Sequence, residues 1–467
     1  MKSILALILS FFQLISFNVI RIGKTRTIGV NRYVTYQTFE SFGTSAAWWA
    51  QNVEDEETAE EIARLLYDKE TGLGLEVFRY NVGAGEKENP DSRISIESRK
   101  AESFAAYDKE TGSFKYDFSR DSNARRVLDY AVKYGADKVI LFSNSPHYAL
   151  TVSGQASGGL ESHRNNLPEE NYGAYVDYML TVADKFVEMG YPVFGISPIN
   201  EPQWSWGGER VTQEGCHFDA DECIKLLELF AQTMKERNVS YRLLGPESGQ
   251  LSEDQYEYID KFMRSQILRD YCEYFSGHSY WMDNNYDGKT ATGQKFADEY
   301  SDMKFEMSEW CELPLKIDST TVDSALYMAN IIIQDLTLLN AVSWQSWTAV
   351  NEDGLLNFTD EGLVKYMRYY AFMHFSRFIK PGAVRIDTMD SGDNRDIQSV
   401  AFDCGGRTVM VIVNNSDSDI KLKTSGLRGS YEIYRTDEVK RCEQVEEGSR
   451  LGPHTIPAKS IETIVVG

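Results

Sequence analysis

The sequence predicts an α/β protein: a (β/α)8 barrel, or TIM barrel, with a β-sandwich packed at its side. Over residues 38–378, short β-rich segments alternate with helical stretches, and eight such pairs follow one another. After Pro381 and Gly382 the helical period ends, and short strands separated by turn residues continue to the end of the chain. Repeated strand–helix units favour parallel strands, and eight of them favour a closed barrel. Strands without intervening helices are typical of a sandwich.

The predicted barrel elements follow in order along the chain. The strands are expected at 38–44, 75–81, 138–143, 193–199, 241–245, 273–280, 304–308 and 341–347, and the helices at 57–69, 122–134, 171–189, 220–236, 255–264, 291–302, 322–339 and 361–378. In the first helix, Ile62, Leu65 and Leu66 share one face, which indicates an amphipathic helix. An open doubly wound sheet is the alternative. It would require a glycine-rich phosphate loop, and the chain has no GxGxxG at a strand–helix junction and no Walker motif.

The same patterns divide the chain into domains. We expect the barrel at 37–380 and the sandwich at 381–467, with residues 25–36 as a strand that joins the sandwich. The sandwich strands are expected at 383–386, 398–402, 408–414, 419–423, 431–435 and 463–466.

Residues 1–24 form an apolar extension whose run from Ile4 to Ile20 has the length of a signal-peptide core. No A-x-A cleavage site follows it, so a cleaved signal, a membrane anchor and an unrelated extension are all open alternatives. The protein is expected to be secreted or on the cell surface if this run is a signal, and cytoplasmic otherwise.

Composition limits the partners that the chain is expected to have. Apolar residues make up 42% and aromatic residues 12% of the 467 residues, which is enough for a buried core and excludes a disordered chain. The net charge of −23 disfavours nucleic acid, and also membrane surfaces apart from the N-terminal run. The six cysteines and six histidines lack the spacing of a metal module, so we expect no metal and no cofactor. A monomer is expected, and the disulfide state of the cysteines is left open.

Chemically active residues follow the carboxyl ends of the predicted strands, where barrels of this kind place their active sites. Glu201 ends the fourth strand beside Asn200, and Glu309 ends the seventh strand before Trp310. Glycoside hydrolysis needs such a pair, because one carboxylic acid protonates the leaving oxygen while one carboxylate attacks or activates water. Ordinary strand-end salt bridges are the alternative, but two such glutamates at one barrel mouth with aromatic neighbours favour catalysis.

Other residues at these strand ends are candidates for substrate binding. We expect Asn200 to bind a sugar hydroxyl, Arg79 to keep Glu309 ionised, and His278 and Tyr280 to hydrogen-bond Glu309 or a hydroxyl. The alternative for Asn200 is a residue that only stabilises a turn, and for Arg79 a structural salt bridge at the barrel rim. For His278 it is a buried histidine whose hydrogen bonds are all made within the protein. Two or three of the loop and strand-end tryptophans are expected to stack on sugar, and the candidates are Trp204, Trp344 and Trp49, with Trp48, Trp206 and Trp347 as the rest of that set.

Together these segments resemble glycoside hydrolase family 30, in the clan that places its acid/base on strand four and its nucleophile on strand seven. They are FGTS (42–45), FRYNVGAG (78–85), SNSPHYALTVSG (143–154), INEP (199–202), SGHSYW (276–281), MSEWC (307–311), WQSWTAV (344–350) and FSRFIKPGAVRI (375–386). The resemblance spans almost the whole chain past residue 36. It implies a retaining β-glycosidase with Glu201 as acid/base and Glu309 as nucleophile, and a side sandwich completed by the N-terminal strand.

Two further segments bear on the substrate. GTSAAWWA (43–50) and QEGCHF (213–218) are similar to the branch that includes β-1,6-galactanases, so the resemblance implies β-1,6-galactan, cleaved in endo or exo mode. β-1,6-Glucan, xylan and a β-glucosyl lipid are the alternatives within the family, and a glycan-binding protein without catalysis is the alternative outside it. The third strand departs from the family pattern, because His147 and Tyr148 follow Pro146 where relatives usually carry Trp or Met. We therefore expect both residues at the floor of a sugar subsite.

Overall fold

The structure is a computed structural model that describes residues 25–161, 163–252, 255–313, 315–392 and 395–467. The extension expected at 1–24 lies outside these residues.

Within the described ranges, strands and helices are numbered in chain order. The strands are β1 (Thr25–Thr38), β2 (Ser41–Ser45), β3 (Val77–Asn81), β4 (Ala105–Asp108), β5 (Ser113–Tyr116), β6 (Lys138–Phe142), β7 (Val193–Ser197), β8 (Arg242–Leu243), β9 (Pro246–Ser248), β10 (Tyr274–His278), β11 (Lys304–Trp310), β12 (Ser343–Ser346), β13 (Leu356–Thr359), β14 (Gly362–Lys365), β15 (Val384–Asp390), β16 (Ile397–Cys404), β17 (Arg407–Asn414), β18 (Ile420–Ser425), β19 (Tyr431–Thr436), β20 (Arg441–Gly448), β21 (His454–Ile456) and β22 (Ser460–Val466). The helices are α1 (Glu56–Tyr67), α2 (Ser122–Tyr134), α3 (Tyr172–Glu188), α4 (Ala220–Arg237), α5 (Tyr256–Arg264), α6 (Gln266–Tyr271), α7 (Tyr286–Glu299), α8 (Val322–Leu338) and α9 (Met367–Ser376).

A curled parallel sheet forms the barrel. Its strand order in the described residues is β8-β7-β6-β3-β2-β12-β11-β10-β9, and β12 pairs in parallel with β2. β8 lies within the predicted fifth strand, and β9 continues the same edge of the sheet after Leu244 and Gly245, beyond the predicted end of that strand. The sheet therefore contains the eight predicted strands, and the (β/α)8 barrel is confirmed.

Some of the barrel helices begin at side-chain caps. Asp55 accepts a hydrogen bond from the Thr58 amide at the start of α1. At α4, Asp219 and Glu222 form a reciprocal capping box, which satisfies two amide groups that the helix itself leaves unpaired. These caps fix where α1 and α4 start, and so how the loop above the preceding strand enters each of them.

The second sheet is the sandwich, with the order β20-β19-β22-β17-β16-β15-β1-β18-β21 in the described residues. β1 pairs antiparallel with β15 and parallel with β18, so the N-terminal strand lies inside this sheet. The side β-sandwich that the sequence predicts is confirmed.

The sandwich packs closely on the barrel through α9. His374 is fully buried, and its Nδ1 and Nε2 each lie 2.8 Å from a threonine hydroxyl, on Thr463 and Thr436. Burial lowers the pKa of this histidine to about 3, which makes it a neutral link between the two domains.

Several stretches differ from the sequence prediction, among them β4, β5 and α6, for which no element was predicted. The helix predicted at 361–378 is shorter, because β13 and β14 form a hairpin whose turn contains Gly362 at φ 98°, and α9 starts only at Met367. β20 and β21 were not predicted. β20 is mostly polar and half exposed, so it lacks the apolar alternation by which a strand is recognised.

Two chain-wide properties complete the fold. In the part of the chain that the structure describes, no helix combines the length and the apolar character needed to cross a bilayer. All six cysteines are free thiols, and five of them are buried.

Candidate active site

A pocket of about 710 Å³ opens at the carboxyl ends of the barrel strands. Glu201 and Glu309 both line it, together with Asn200, Trp204 and Tyr280. The two glutamates are 9% and 4% exposed, so their carboxyl groups meet the pocket but are otherwise enclosed. One carboxylate oxygen of Glu201 and one of Glu309 lie within 4.8 Å of each other.

Glu309 is held by two donors at the end of β11. Arg79 Nη1 donates to its Oε2 at 2.6 Å, and the Tyr280 hydroxyl donates to its Oε1 at 3.1 Å. Burial raises the pKa of the Glu309 carboxyl, while the cations of His278 and Arg79 act against that rise. The guanidinium of Arg79 also stacks over the ring of Phe142 at 3.8 Å, which fixes its direction.

Glu201 follows β7 in a left-handed backbone conformation with φ 46°. Non-glycine residues adopt this conformation at a cost of about 1–3 kcal/mol, and they cluster at functional sites. The Glu201 amide donates to the Glu247 carbonyl at 2.9 Å, and the Trp206 indole donates to the Glu201 carbonyl at 2.9 Å. These bonds hold the turn that directs Glu201 toward Glu309.

His278 connects the acidic groups of the site. Its Nδ1 lies 3.1 Å from Glu201 Oε1, and its Nε2 lies 3.2 Å from Glu247 Oε2 and 3.7 Å from Glu309 Oε2. Burial acts to lower the pKa of His278, but these carboxylates outweigh it and raise the pKa to about 10. The ring is therefore an imidazolium at neutral pH.

Glu247 is a site residue that the sequence analysis missed. It is 1% exposed, lies in β9 with φ 58°, and accepts hydrogen bonds from Ser197 at 2.6 Å and from Ser308. Burial favours a higher pKa, but Arg79 and His278 outweigh it and lower the pKa of Glu247 to about 2. The fifth predicted strand stopped at Gly245, two residues short of it. The sequence signal for this residue is the pair Pro246 and Glu247 directly after an apolar strand.

Five of the predicted binding residues converge on this site. Arg79, His278 and Tyr280 contact the glutamates as described above. Asn200 lines the pocket and accepts a hydrogen bond from Arg79 Nη2 at 3.2 Å. Trp204 lines the pocket as well, so its ring is available to a sugar.

Two predicted tryptophans are placed in the core instead. Trp344 is completely buried, donates its indole N–H to Asp335 at 3.0 Å, and packs on Phe372. Trp49 is 8% exposed and donates to the Ser45 carbonyl at 3.0 Å. Their expected stacking on sugar is therefore corrected to a packing role. In β12 the neighbouring side chains point to opposite faces, and Trp344 takes the outer face toward the helices.

His147 and Tyr148 also differ from expectation. The His147 ring is buried and its Nε2 lies 3.1 Å from the Ala105 carbonyl, while Nδ1 accepts from the Ala149 amide. Burial lowers its pKa to about 4, so it is a neutral structural histidine. The Tyr148 ring stacks on it at 4.8 Å. The pair supports the loop after β6 rather than a sugar subsite.

Other aromatic residues and two arginines take the pocket positions. Lining residues that the prediction did not select are Trp48, Trp206, Trp281, Trp347, Arg99 and Arg210. The rings of Trp48 and Trp347 meet edge to face at 5.3 Å, and Arg99 lies 4.8 Å over Trp48. The adjacent tryptophans 48 and 49 cannot be told apart from sequence, because only the fold decides which ring faces the pocket.

Fold and site together define the class of protein, a glycosidase: a barrel with a side sandwich and two facing glutamates in an aromatic pocket. The family model described as O-Glycosyl hydrolase family 30 matches residues 25–364, more than half of the chain. The glycosyl hydrolase family 30 beta sandwich domain matches residues 382–464. The chain therefore belongs to glycoside hydrolase family 30.

Similar proteins agree with this assignment. An endo-beta-1,6-galactanase from Hypocrea rufa is 23% identical over 417 residues, which cover 83% of this chain and 81% of that protein. Among solved structures, a conserved exported protein from Bacteroides fragilis matches with a TM-score of 0.85 at 23% identity, over 94% of this chain and 100% of that one. The catalytic domain of GH30 xylanase C from Talaromyces cellulolyticus matches with a TM-score of 0.74 at 19% identity, over 94% and 100%. At these identities the structural matches establish the fold.

Proposed function

We propose that this glycosidase is a retaining enzyme that cleaves β-linked glycans by double displacement. The observation that carries the proposal is the approach of Glu201 and Glu309 oxygens to within 4.8 Å. Retaining glycosidases place their carboxyl groups about 5–5.5 Å apart, whereas inverting enzymes need about 6.5–9.5 Å to admit a water molecule. The separation supports direct attack by a carboxylate.

In the first step, the Glu309 carboxylate attacks the anomeric carbon while Glu201 protonates the leaving oxygen, and the glycosidic bond breaks. Arg79 and Tyr280 hold the two oxygens of Glu309 in place for this attack. In the second step, Glu201 removes a proton from water, the water oxygen bonds to the anomeric carbon, and the Glu309 ester bond breaks. Glu309 is restored as a carboxylate and Glu201 as an acid.

For the substrate, we propose β-1,6-linked galactan. Its support is the similarity to the galactanase of Hypocrea rufa over 83% of this chain. The pocket is compatible with a chain of sugars, because Trp48, Trp204, Trp206 and Trp281 give it apolar ring surfaces that cover sugar faces.

Product profiling tests this function. Wild-type protein and Glu309→Gln are incubated with β-1,6-galactan, β-1,6-glucan and xylan, and the products are identified by chromatography and mass spectrometry. We expect galactose-containing oligosaccharides from the galactan with the wild type alone, and a rate lower by several orders of magnitude for the variant. Release from glucan or xylan but not galactan would contradict the substrate. Release by Glu309→Gln at more than about a tenth of the wild-type rate would contradict the mechanism.

A further inference from the structure

Glu247 is joined to four barrel strands by a single buried carboxylate. Its Oε1 accepts from Ser197 of β7 at 2.6 Å, and its Oε2 accepts from Ser308 of β11 and lies 3.2 Å from His278 Nε2 of β10. Arg79 Nη2 of β3 lies 3.9 Å from the same Oε2. Glu247 does not line the pocket, so it is placed to act on other residues rather than on substrate.

Two routes lead from Glu247 to the reacting carboxyl groups. One runs through His278, whose Nδ1 lies 3.1 Å from Glu201 Oε1. The other runs through Arg79, whose Nη1 donates to Glu309 Oε2. In addition, the Glu247 carbonyl accepts a hydrogen bond from the Glu201 amide at 2.9 Å, so the backbones of the two glutamates are joined directly.

We propose that Glu247 is a positioning residue whose fixed negative charge holds His278 as a cation against Glu201, so that the His278 ring cannot accept the proton of the acid. This inference rests on the proposed roles of Glu201 and Glu309.

Counting charges explains the effect. Arg79 and His278 contribute two positive charges, and Glu247 and Glu309 contribute two negative charges. With Glu247 ionised, the group is neutral when Glu201 carries a proton, which is the form that the first step requires. Without the charge of Glu247, neutrality leaves one proton for His278 and Glu201 to share, so the imidazole can take the proton that the first step needs on Glu201. Further titratable groups that face the cluster are Tyr280 and Cys311 beside Glu309, and Glu306 on β11.

The pH dependence of kcat/KM tests this role with a matched set of variants. Glu247→Gln removes the charge and keeps the shape, while Glu247→Asp keeps the charge. Glu462→Gln is the control, since Glu462 is also a buried carboxylate paired with an arginine and a histidine, Arg435 and His454, but lies in β22 of the sandwich. We expect the alkaline limb of Glu247→Gln to move down by about one pH unit or more, as a charge lost near the acid requires. Glu247→Asp should move the limb less than Glu247→Gln does, and Glu462→Gln should leave it in place.

The leaving group gives a second readout. An aryl glycoside with an acidic phenol needs little protonation, so Glu247→Gln should lose much less activity on it than on an alkyl glycoside or glycan. Equal losses on all substrates with an unmoved alkaline limb would overturn the proposal and leave Glu247 a structural residue.

If Glu247→Gln does not fold, ¹⁵N NMR of histidine-labelled wild type decides the question. We expect His278 to carry protons on both ring nitrogens at pH 8, and a neutral ring there would overturn the proposal. A failure of the proposed double displacement gives a different result from a failure of the Glu247 proposal. In that case Glu309→Gln or Glu201→Ala would keep the wild-type rate, whatever the effect of changing Glu247.

Discussion

At the scale of single residues, the chemistry depends on which carboxyl group carries a proton. Glu309 must be ionised to attack, and Glu201 must be protonated to act as an acid. The structure surrounds Glu309 with two cations and a tyrosine hydroxyl, whereas Glu201 faces His278 alone among the charged groups that contact it in the described residues. This difference in surroundings supports the assignment of the two roles.

Replacing Glu201 separates the two steps. Glu201→Ala should still form the glycosyl-enzyme from an aryl glycoside, because that leaving group needs little protonation, but it cannot activate water for the second step. We expect azide, which needs no general base, to restore turnover and to give the β-glycosyl azide. The product is identified by NMR. An α-azide, or no rescue at all, would contradict the assigned role.

The acidic limb of the pH profile reports on Glu309. Burial raises the pKa of this carboxyl above its ordinary value of 4.5, and activity requires the ionised form, so kcat/KM should fall as the pH drops through that raised value. Arg79 acts to lower this pKa, and Arg79→Gln should therefore move the acidic limb to higher pH. Arg99→Gln is the matched control, because Arg99 lines the pocket over Trp48 without contacting Glu309. An unmoved limb in Arg79→Gln would show that Arg79 does not influence the nucleophile.

At the scale of elements, the strand ends explain what could be predicted. Glu201, Glu309, Arg79, His278 and Tyr280 each follow or end an apolar strand, and the barrel fold brings all such ends to one mouth. Glu247 was not predicted because this edge of the sheet is broken into β8 and β9, and each is too short to show the alternation of a strand. Trp344 and His147 were misplaced because the face that a side chain takes depends on strand register and loop packing, which a single sequence does not encode locally.

Two tryptophans test this distinction between pocket and core. Trp204→Ala should raise KM with little change in stability, because the ring lines the pocket. Trp344→Ala should lower the free energy of unfolding by about 3–5 kcal/mol, as expected when a large core ring is truncated. Denaturant unfolding and steady-state kinetics on both variants check the pair. A normal KM in Trp204→Ala, or a stable Trp344→Ala, would show that the two rings have been assigned wrongly.

At the scale of the whole molecule, barrel and sandwich share one packed interface, which His374 joins as a neutral residue. Its pKa is about 3 in the fold against 6.5 when exposed. Since the unfolded chain binds the proton first, the stability that this group contributes is complete above pH 6.5 and is lost as the pH falls toward 3. Three buried carboxyl groups have the opposite effect, and their contribution to stability is lost as the pH rises, because burial raises each of their pKa values to about 7. They are Glu76, Asp121 and Glu306.

A difference measurement isolates His374 from those carboxyl groups. His374→Gln can keep hydrogen bonds to Thr436 and Thr463 but cannot take up a proton. Between pH 7.5 and 4.5, wild type should therefore lose about 2–3 kcal/mol relative to the variant, from a pKa shift converted at about 1.4 kcal/mol per unit. Denaturant unfolding of both proteins at several pH values measures this. A constant difference across the range would contradict the neutral, buried state of His374.

The central claim is that Glu309 forms a covalent bond to the sugar, and trapping that intermediate tests it most directly. An activated 2-deoxy-2-fluoro β-glycoside of the preferred sugar slows both steps, while its good leaving group still allows the first, so the glycosyl-enzyme accumulates. Intact-mass spectrometry followed by peptide mapping locates the added sugar. We predict one sugar per chain, on the peptide that contains Glu309, and none in Glu309→Gln. A sugar attached to another residue, or time-dependent inactivation of the wild type without any added mass, would contradict the double-displacement account.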